Sequence, residues 1–154
     1  MKKLNPAYVT AVAAEVNHCP YFQLLSMTIL DLGEGTSRLE IAVQEKHHQP
    51  FGMVHGGVFS SLVDAAAFWA VFPLLEEGLG LTTVEMKLNY LAPATAGTLQ
   101  AAGHCLKLGK TLALGEARIE DREGRLLAYG TATLMVLPGL SIRGAAGYPR
   151  KFIE

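Results

Sequence analysis

The sequence predicts an α+β domain: an antiparallel sheet wrapped around one long central helix, preceded by an N-terminal helix. Three observations carry that reading. A mostly apolar run from Val58 to Leu75 opens on His55-Gly56-Gly57 and closes around Pro73 and Gly78. Four segments after it alternate, or are rich in β-branched residues, and are separated by Pro, Gly and Asp turns. Two shorter segments of the same kind stand before it.

Each element follows from local chemistry. Asn5 can cap a first helix with Pro6 at its opening position, and Tyr8, Val12 and Val16 form one stripe along it to about Asn17. Pro20 limits that helix. Ser26 to Leu32 and Thr36 to Val43 read as strands joined by Gly33-Glu34-Gly35, and in the second Arg38, Glu40 and Ala42 alternate with Leu39, Ile41 and Val43. Glu45 to Met53 is a polar loop leading to the central helix, which ends near Pro73 and Gly78. Leu81 to Leu91, Thr98 to Leu108, Thr111 to Glu120 and Arg125 to Leu137 complete the sheet. They are ended in turn by Pro93, Gly109-Lys110, Asp121-Arg122-Glu123-Gly124 and Pro138-Gly139. Residues 138–154 show no clear period and are expected to form a partly mobile tail. Without an internal repeat or a linker, one domain over 1–154 is expected, its N-terminal helix lying within 1–20.

Composition limits the function classes. At 154 residues the chain can bury a core without disulfides or metals. It is 50% hydrophobic and 18% charged, so some apolar surface is expected at subunit contacts. A net charge of −1 without like-charge blocks offers no footprint for nucleic acid or for a membrane surface. Cys19 and Cys105 stand alone and read as structural thiols of a reducing compartment. There is no signal-peptide core and no Asn-x-Ser/Thr site, and the eleven apolar residues from Ala65 to Leu75 fall short of the roughly 18 that span a bilayer. A cytoplasmic location is expected.

Asp64 is the only ionisable side chain between His55 and Glu76, on a helix apolar nearly all round. A carboxylate taken out of water finds partners or takes a raised pKa, which makes it a candidate for chemistry. The glycines after His55 allow close backbone approach, and a helix start presents unpaired N–H groups with partial positive charge. Gly56 and Asp64 are eight residues apart, roughly 12 Å along one helix, so they cannot both reach a single carbonyl. If they cooperate, the helix end of one chain meets the carboxylate of another across a two-fold axis. A dimer with shared sites is therefore expected.

Taken together, His55-Gly56-Gly57 with Asp64, the strand from Thr83 through Asn89-Tyr90-Leu91-Ala92-Pro93, and Leu108-Gly109-Lys110-Thr111 resemble the hotdog-fold acyl-CoA thioesterases of the phenylacetate-pathway type, which include the mammalian thioesterase-superfamily member 2 proteins. The likeness covers roughly Gln49 to Leu137. It implies a dimer with a continuous sheet, dimers paired into homotetramers, and an acyl-CoA substrate with no separate cofactor, coenzyme A being part of the substrate. It further implies that Gly56 N–H polarises the thioester carbonyl while Asp64 of the partner subunit acts as nucleophile or general base. Thr83 matches a Ser or Thr that holds the carboxylate or water. Gln49 stands where the family commonly has Asn, and keeps both donor and acceptor. His55 would orient the loop by hydrogen bonding. The candidates for substrate binding are Gly57, Phe59, Leu62 and Pro93, with Gly109, Lys110 and Thr111 toward the nucleotide end of coenzyme A.

The bland readings weigh differently. A helix carboxylate usually caps a neighbouring backbone group, but the His-Gly-Gly context favours function at Asp64. His55 alone is as readily a structural histidine. His47-His48 lack ligand spacing, so no metal is expected. Gly109-Lys110-Thr111 resembles the end of a phosphate loop, yet position 104 is His and the flanks read as strands, which favours a hairpin. Two rivals to the hydrolase remain: a hotdog hydratase or dehydratase, and a non-catalytic acyl-CoA-binding protein.

Overall fold

The computed structural model describes residues 2–154. In chain order the elements are β1 (Lys3–Leu4), α1 (Pro6–Asn17), α2 (Pro20–Leu25), β2 (Met27–Gly33), β3 (Thr36–Ala42), α3 (Gly56–Val71), β4 (Leu79–Tyr90), β5 (Thr98–Leu108), β6 (Leu112–Glu120), β7 (Leu126–Pro138) and β8 (Phe152–Ile153). Strands β2 to β7 form one antiparallel sheet in the order β2-β3-β5-β6-β7-β4, curved around α3. The α+β fold expected from the sequence is the fold observed.

Alternation builds the core. In β7, Gly130, Ala132, Leu134 and Val136 are buried while Tyr129, Thr131, Thr133 and Met135 are not, the period of a strand with one face on a helix. The helix lies unusually near that face because the residues between are small. A β-carbon at position 103 would stand 2.1 Å from the Ala66 carbonyl oxygen, and one at 115 would stand 2.8 Å from that of Ala67. Glycine is what lets β5 and β6 touch the helix backbone. The buried Ser37 hydroxyl donates to the same Ala66 carbonyl at 2.6 Å, so sheet and helix are also hydrogen-bonded.

Strand β4 is a sheet edge, and it is kinked. Thr83 pairs with Leu134 and Glu85 with Thr133, which leaves Val84 as a β-bulge, 49% exposed. Leu81 and Thr83 turn toward α3 before the bulge; Met86, Leu88 and Tyr90 do so after it. Odd positions become even ones, and both halves of the strand serve the helix.

Four expectations need correction. Pro20 does more than limit α1: it opens the short helix α2, since a fixed φ suits a first helical position. The helix α3 is not apolar-buried all round. Gly57 is exposed and Ser60, Ser61, Asp64 and Phe68 are half-buried, one stripe at helical spacing that the sheet does not cover. Gly56–Leu74 is, by length and composition, apolar enough to cross a membrane, yet most of it is buried inside this fold. Last, the C-terminal segment is held. Phe152 pairs with Leu4, Asn5 N–H donates to the Lys151 carbonyl at 2.9 Å, and the Asn5 amide donates to that of Arg150 at 2.8 Å. Asn5 also accepts from Ala7 N–H as helix cap, so one residue anchors both ends.

Lys151 completes this clasp. Its side chain is 4% exposed, donates to the Phe72 carbonyl at 2.8 Å, and lies 4.7 Å over the Phe72 ring. Burial pushes its ammonium down to about 8, with Glu76 and Glu77 opposing the shift.

Two outcomes follow from the packing. Gly103→Ala should destabilise by about 1–3 kcal/mol or more through overpacking, read as a lower urea midpoint. For Lys151 the folded value lies below the unfolded one, so between them the unfolded chain binds more protons and stability rises with pH. Unfolding free energy should therefore climb from pH 7.5 to 9.5, by at most about 1.4 kcal/mol per pH unit, and the climb should vanish in Lys151→Met. Burial holds the Tyr8 and Tyr148 phenols above their usual range, outside that window, whereas the Cys105 thiol, also raised by burial, opposes the climb within it.

Candidate functional site

The start of α3 is fixed by two histidines in series. His47 is buried; its Nδ1 accepts from Gln44 N–H at 2.9 Å and its Nε2 donates to the Leu25 carbonyl at 2.7 Å. The His47 carbonyl then accepts His55 N–H at 2.8 Å. His55 is the helix N-cap: its Nδ1 accepts from Gly57 N–H at 2.7 Å, and its carbonyl from Val58 N–H at 3.0 Å. With Nδ1 accepting, the ring proton of neutral His55 sits on Nε2. His48 donates from Nε2 to the Thr95 carbonyl at 2.7 Å. Both adjacent histidines are thus engaged with backbone, and no cluster of three potential metal ligands occurs among the described residues.

Capping leaves one donor over. Gly57 and Val58 N–H groups are spent on His55, while Gly56 N–H has no partner among the described residues. It lies at the positive end of the helix dipole. Tyr90, from the end of β4, donates its hydroxyl to the Gly56 carbonyl at 3.2 Å, and a β-carbon on Gly56 would come within 3.1 Å of the Tyr90 ring. Gln49 sits on a tight turn: its N–H donates to the Met53 carbonyl at 2.8 Å, its carbonyl accepts Gly52 N–H at 3.0 Å, and its side-chain oxygen accepts Phe51 N–H. The carboxamide NH2 is left to point elsewhere. Gln49, Gly56, Phe59, Tyr90 and Pro93 line one cleft of about 340 Å³.

Asp64 belongs to a different cleft, of about 370 Å³, lined also by Tyr21, Phe22, Ser61, Trp69 and Met86. Thr83 donates its hydroxyl to Asp64 Oδ1 at 2.7 Å, which fixes the carboxylate and leaves Oδ2 without a side-chain donor. Ser61 gives its proton to the Gly57 carbonyl at 2.8 Å, so Tyr21 must donate the 2.6 Å bond between the two hydroxyls.

The structure therefore joins Thr83 to Asp64 and groups Gln49, Gly56, Phe59 and Pro93, while keeping the two groups in separate clefts of one chain. Leu62 is a correction: it is fully buried in the core and lines neither cleft, because it sits on the covered side of α3. Gly109, Lys110 and Thr111 form the expected hairpin, with Gly109 N–H donating to the Leu112 carbonyl at 2.9 Å, and they line neither cleft. Sequence reasoning assigned no role to Tyr90, Tyr21 or Ser61. Ser61, three residues before Asp64 on the uncovered stripe, carried a readable signal; Tyr90 did not, since its facing depends on the bulge at Val84.

Comparisons with known proteins place the chain in a family with this fold. The profile described as thioesterase superfamily matches residues 51–128, from the Gln49 turn into β7. The chain is 30% identical over 114 residues to a 1,4-dihydroxy-2-naphthoyl-CoA hydrolase of Listeria monocytogenes, covering 74% of this chain and 93% of that one. It is 32% identical over 109 residues to human acyl-coenzyme A thioesterase 13, covering 70% and 77%. Among solved structures, a thioesterase family protein of Silicibacter pomeroyi superposes with a TM-score of 0.79 at 32% identity, covering 86% of this chain and 99% of that one.

The cap on α3 is testable apart from any reaction. His55→Ala should cost about 0.5–2 kcal/mol of stability, and His55→Asn much less, because Asn can also accept from the first turn. Thermal melts of the three proteins measure the difference.

Proposed function

The chain belongs to the thioesterase superfamily, and we propose that it hydrolyses acyl-CoA thioesters to a free acid and coenzyme A at sites shared between two subunits. The observation that carries the shared site is the separation of the unpaired Gly56 N–H from the Asp64 carboxylate, on one helix and in two clefts. Each chain holds half of what the reaction needs. An antiparallel pair of α3 helices brings the halves together twice, once on each side of the two-fold axis.

In that arrangement the thioester carbonyl oxygen accepts from Gly56 N–H, and negative charge building on it during attack is met by a fixed donor at a helix start. One such donor is worth roughly 3–4 kcal/mol of barrier. The Asp64 carboxylate of the other subunit, held through Oδ1 by Thr83, uses Oδ2 toward the substrate. Either it removes a proton from the attacking water, or it attacks the carbonyl itself and forms an anhydride that water then opens. Both routes break the C–S bond, protonate the thiolate of coenzyme A, and return Asp64 to its starting state. The Gln49 amide shares a cleft with Gly56 and is a donor for the carbonyl or the water. Lys110, exposed on the β5–β6 hairpin, is the residue proposed to meet a coenzyme A phosphate. Coenzyme A as the carrier is favoured by what the Listeria and human relatives are named for.

Two variants separate the halves. Asp64→Asn should lower kcat on acyl-CoA by about 10²–10⁴-fold. Gly56→Pro removes the N–H at a first helical position that tolerates proline and after a residue already extended, and shares with Gly56→Ala the β-carbon that crowds Tyr90, so it should lower kcat by about 10²–10³-fold relative to Gly56→Ala. Neither alone shows that the site is shared. An equal mixture of the two variants, unfolded and refolded together, should recover about a quarter of wild-type activity, because half of the dimers are mixed and each mixed dimer has one intact site. Thiol release measures it, and a mixture no better than its components sinks the shared-site proposal.

A further inference from the structure

The clasp of the two chain ends encloses a cavity that the proposed hydrolysis does not use. It measures about 290 Å³ and lies between α1, the residues that close α3 and the C-terminal segment. It shares no lining residue with either cleft of the candidate site. Tyr8, Phe72, Leu79, Leu140, Ile142 and Tyr148 give it an apolar wall. Glu76 and Arg150 also line it and are exposed, so the cavity opens to solvent.

Two donors at this cavity are buried and short of acceptors. Lys151, 4% exposed, spends one of its three ammonium protons on the Phe72 carbonyl at 2.8 Å, and the rings of Phe72, Phe152 and Tyr8 lie 4.7, 5.6 and 5.9 Å from it. It has no carboxylate partner among the described residues. Glu76 is paired with Lys2 at 3.1 Å, and Glu77 accepts the Lys151 backbone N–H at 3.1 Å instead. The Tyr148 hydroxyl is buried and has no hydrogen-bond partner among the described residues. Its ring packs edge-to-face on Tyr8 with centroids 6.1 Å apart, the same ring that the ammonium approaches. A buried cation and a buried hydroxyl without acceptors cost free energy, and an anion accepting from both offsets that cost.

We propose that this cavity binds a small monocarboxylic acid with an aromatic or branched apolar body, its carboxylate accepting from Lys151 Nζ and the Tyr148 hydroxyl. The single charge follows from the wall: Glu76 and Glu77 repel a polyanion, while one carboxylate matches one ammonium. The small body follows from the volume, which lies at the low end of the roughly 300–1,000 Å³ of small-molecule sites. Protonated Lys151 is the form that holds the acid, so affinity falls as pH rises through the value of about 8 to which burial lowers its ammonium. Tyr8 and Tyr148, raised by burial, stay neutral there; Glu76 with its partner Lys2, Glu77 and Arg150 are the other charges nearby.

Isothermal titration calorimetry of the full chain with benzoate, 3-methylbutanoate and inorganic phosphate tests the site. At pH 7 both acids should bind and phosphate should not, and benzoate affinity should fall by about tenfold or more by pH 9.5. Tyr148→Phe removes only the unpartnered hydroxyl and should weaken benzoate by about tenfold at an unchanged melting temperature. Lys151→Met should abolish the binding. A wild type that binds neither acid overturns the proposal, and so does benzoate binding that is the same in Tyr148→Phe or at both pH values. Binding that Asp64→Asn changes and Tyr148→Phe does not puts the acid in the hydrolytic cleft and overturns it as well. Phosphate held as tightly as benzoate overturns the apolar body.

Discussion

The depth at which α3 sits in the sheet sets the rest of the molecule. Gly103 and Gly115 bring two strands against helix carbonyls, the Ser37 hydroxyl bonds one of those carbonyls, and the run Ala65-Ala66-Ala67 keeps the helix side of the contact thin. A helix lodged this closely has little freedom to roll, since packed interiors resist displacement on the scale of a methyl group. Its orientation decides that Asp64 falls beside Thr83 on β4, and that Gly57, Ser60, Ser61 and Asp64 form the stripe the sheet leaves open. The carboxylate is held by packing on the opposite side of its own helix.

Around that fixed rod the polar groups are arranged in relays. His47 anchors a loop, the loop anchors His55, and His55 takes up the first-turn N–H groups except that of Gly56. On the next turn, Tyr21 leans on Ser61 and Ser61 on the Gly57 carbonyl. These bonds are spent on positioning. What stays uncommitted, an amide N–H at one end and a carboxylate oxygen eight residues on, is the part able to engage a substrate. That the two are too far apart for one substrate is a property of helical rise alone, and it makes a second copy of the chain part of the proposed chemistry.

Much of this was legible in the sequence because it is local. A cap, a glycine pair and a lone acid within ten residues can be read as one device, and the strand boundaries followed from turn residues and period. The Thr83 match to a carboxylate-holding residue came from family resemblance, and the 2.7 Å bond to Asp64 is consistent with it. What escaped was non-local. Lys151 reads as a solvated terminal lysine, and nothing nearby in sequence says that it will be buried against Phe72. Leu62 and Phe59 are equally apolar and three residues apart, yet only Phe59 reaches a cleft, because a helix turns about 100° per residue and the uncovered side is chosen by the sheet. The rigid turn under Phe51 depends on a Gln side chain accepting from the backbone, a choice composition does not disclose.

The bulge at Val84 has a consequence for how this strand can change length. A residue inserted or removed between Met86 and Tyr90 would invert everything beyond it, sending Lys87 and Asn89 toward the helix and Leu88 and Tyr90 to solvent, since facing alternates at every step. At Val84 the count is already odd by one. Removing that residue would leave Thr83 and Met86 still facing α3 across a regular ladder and would take away only the bend. Within β4, Val84 is therefore the position where a change of length by one residue leaves both halves facing as they do now.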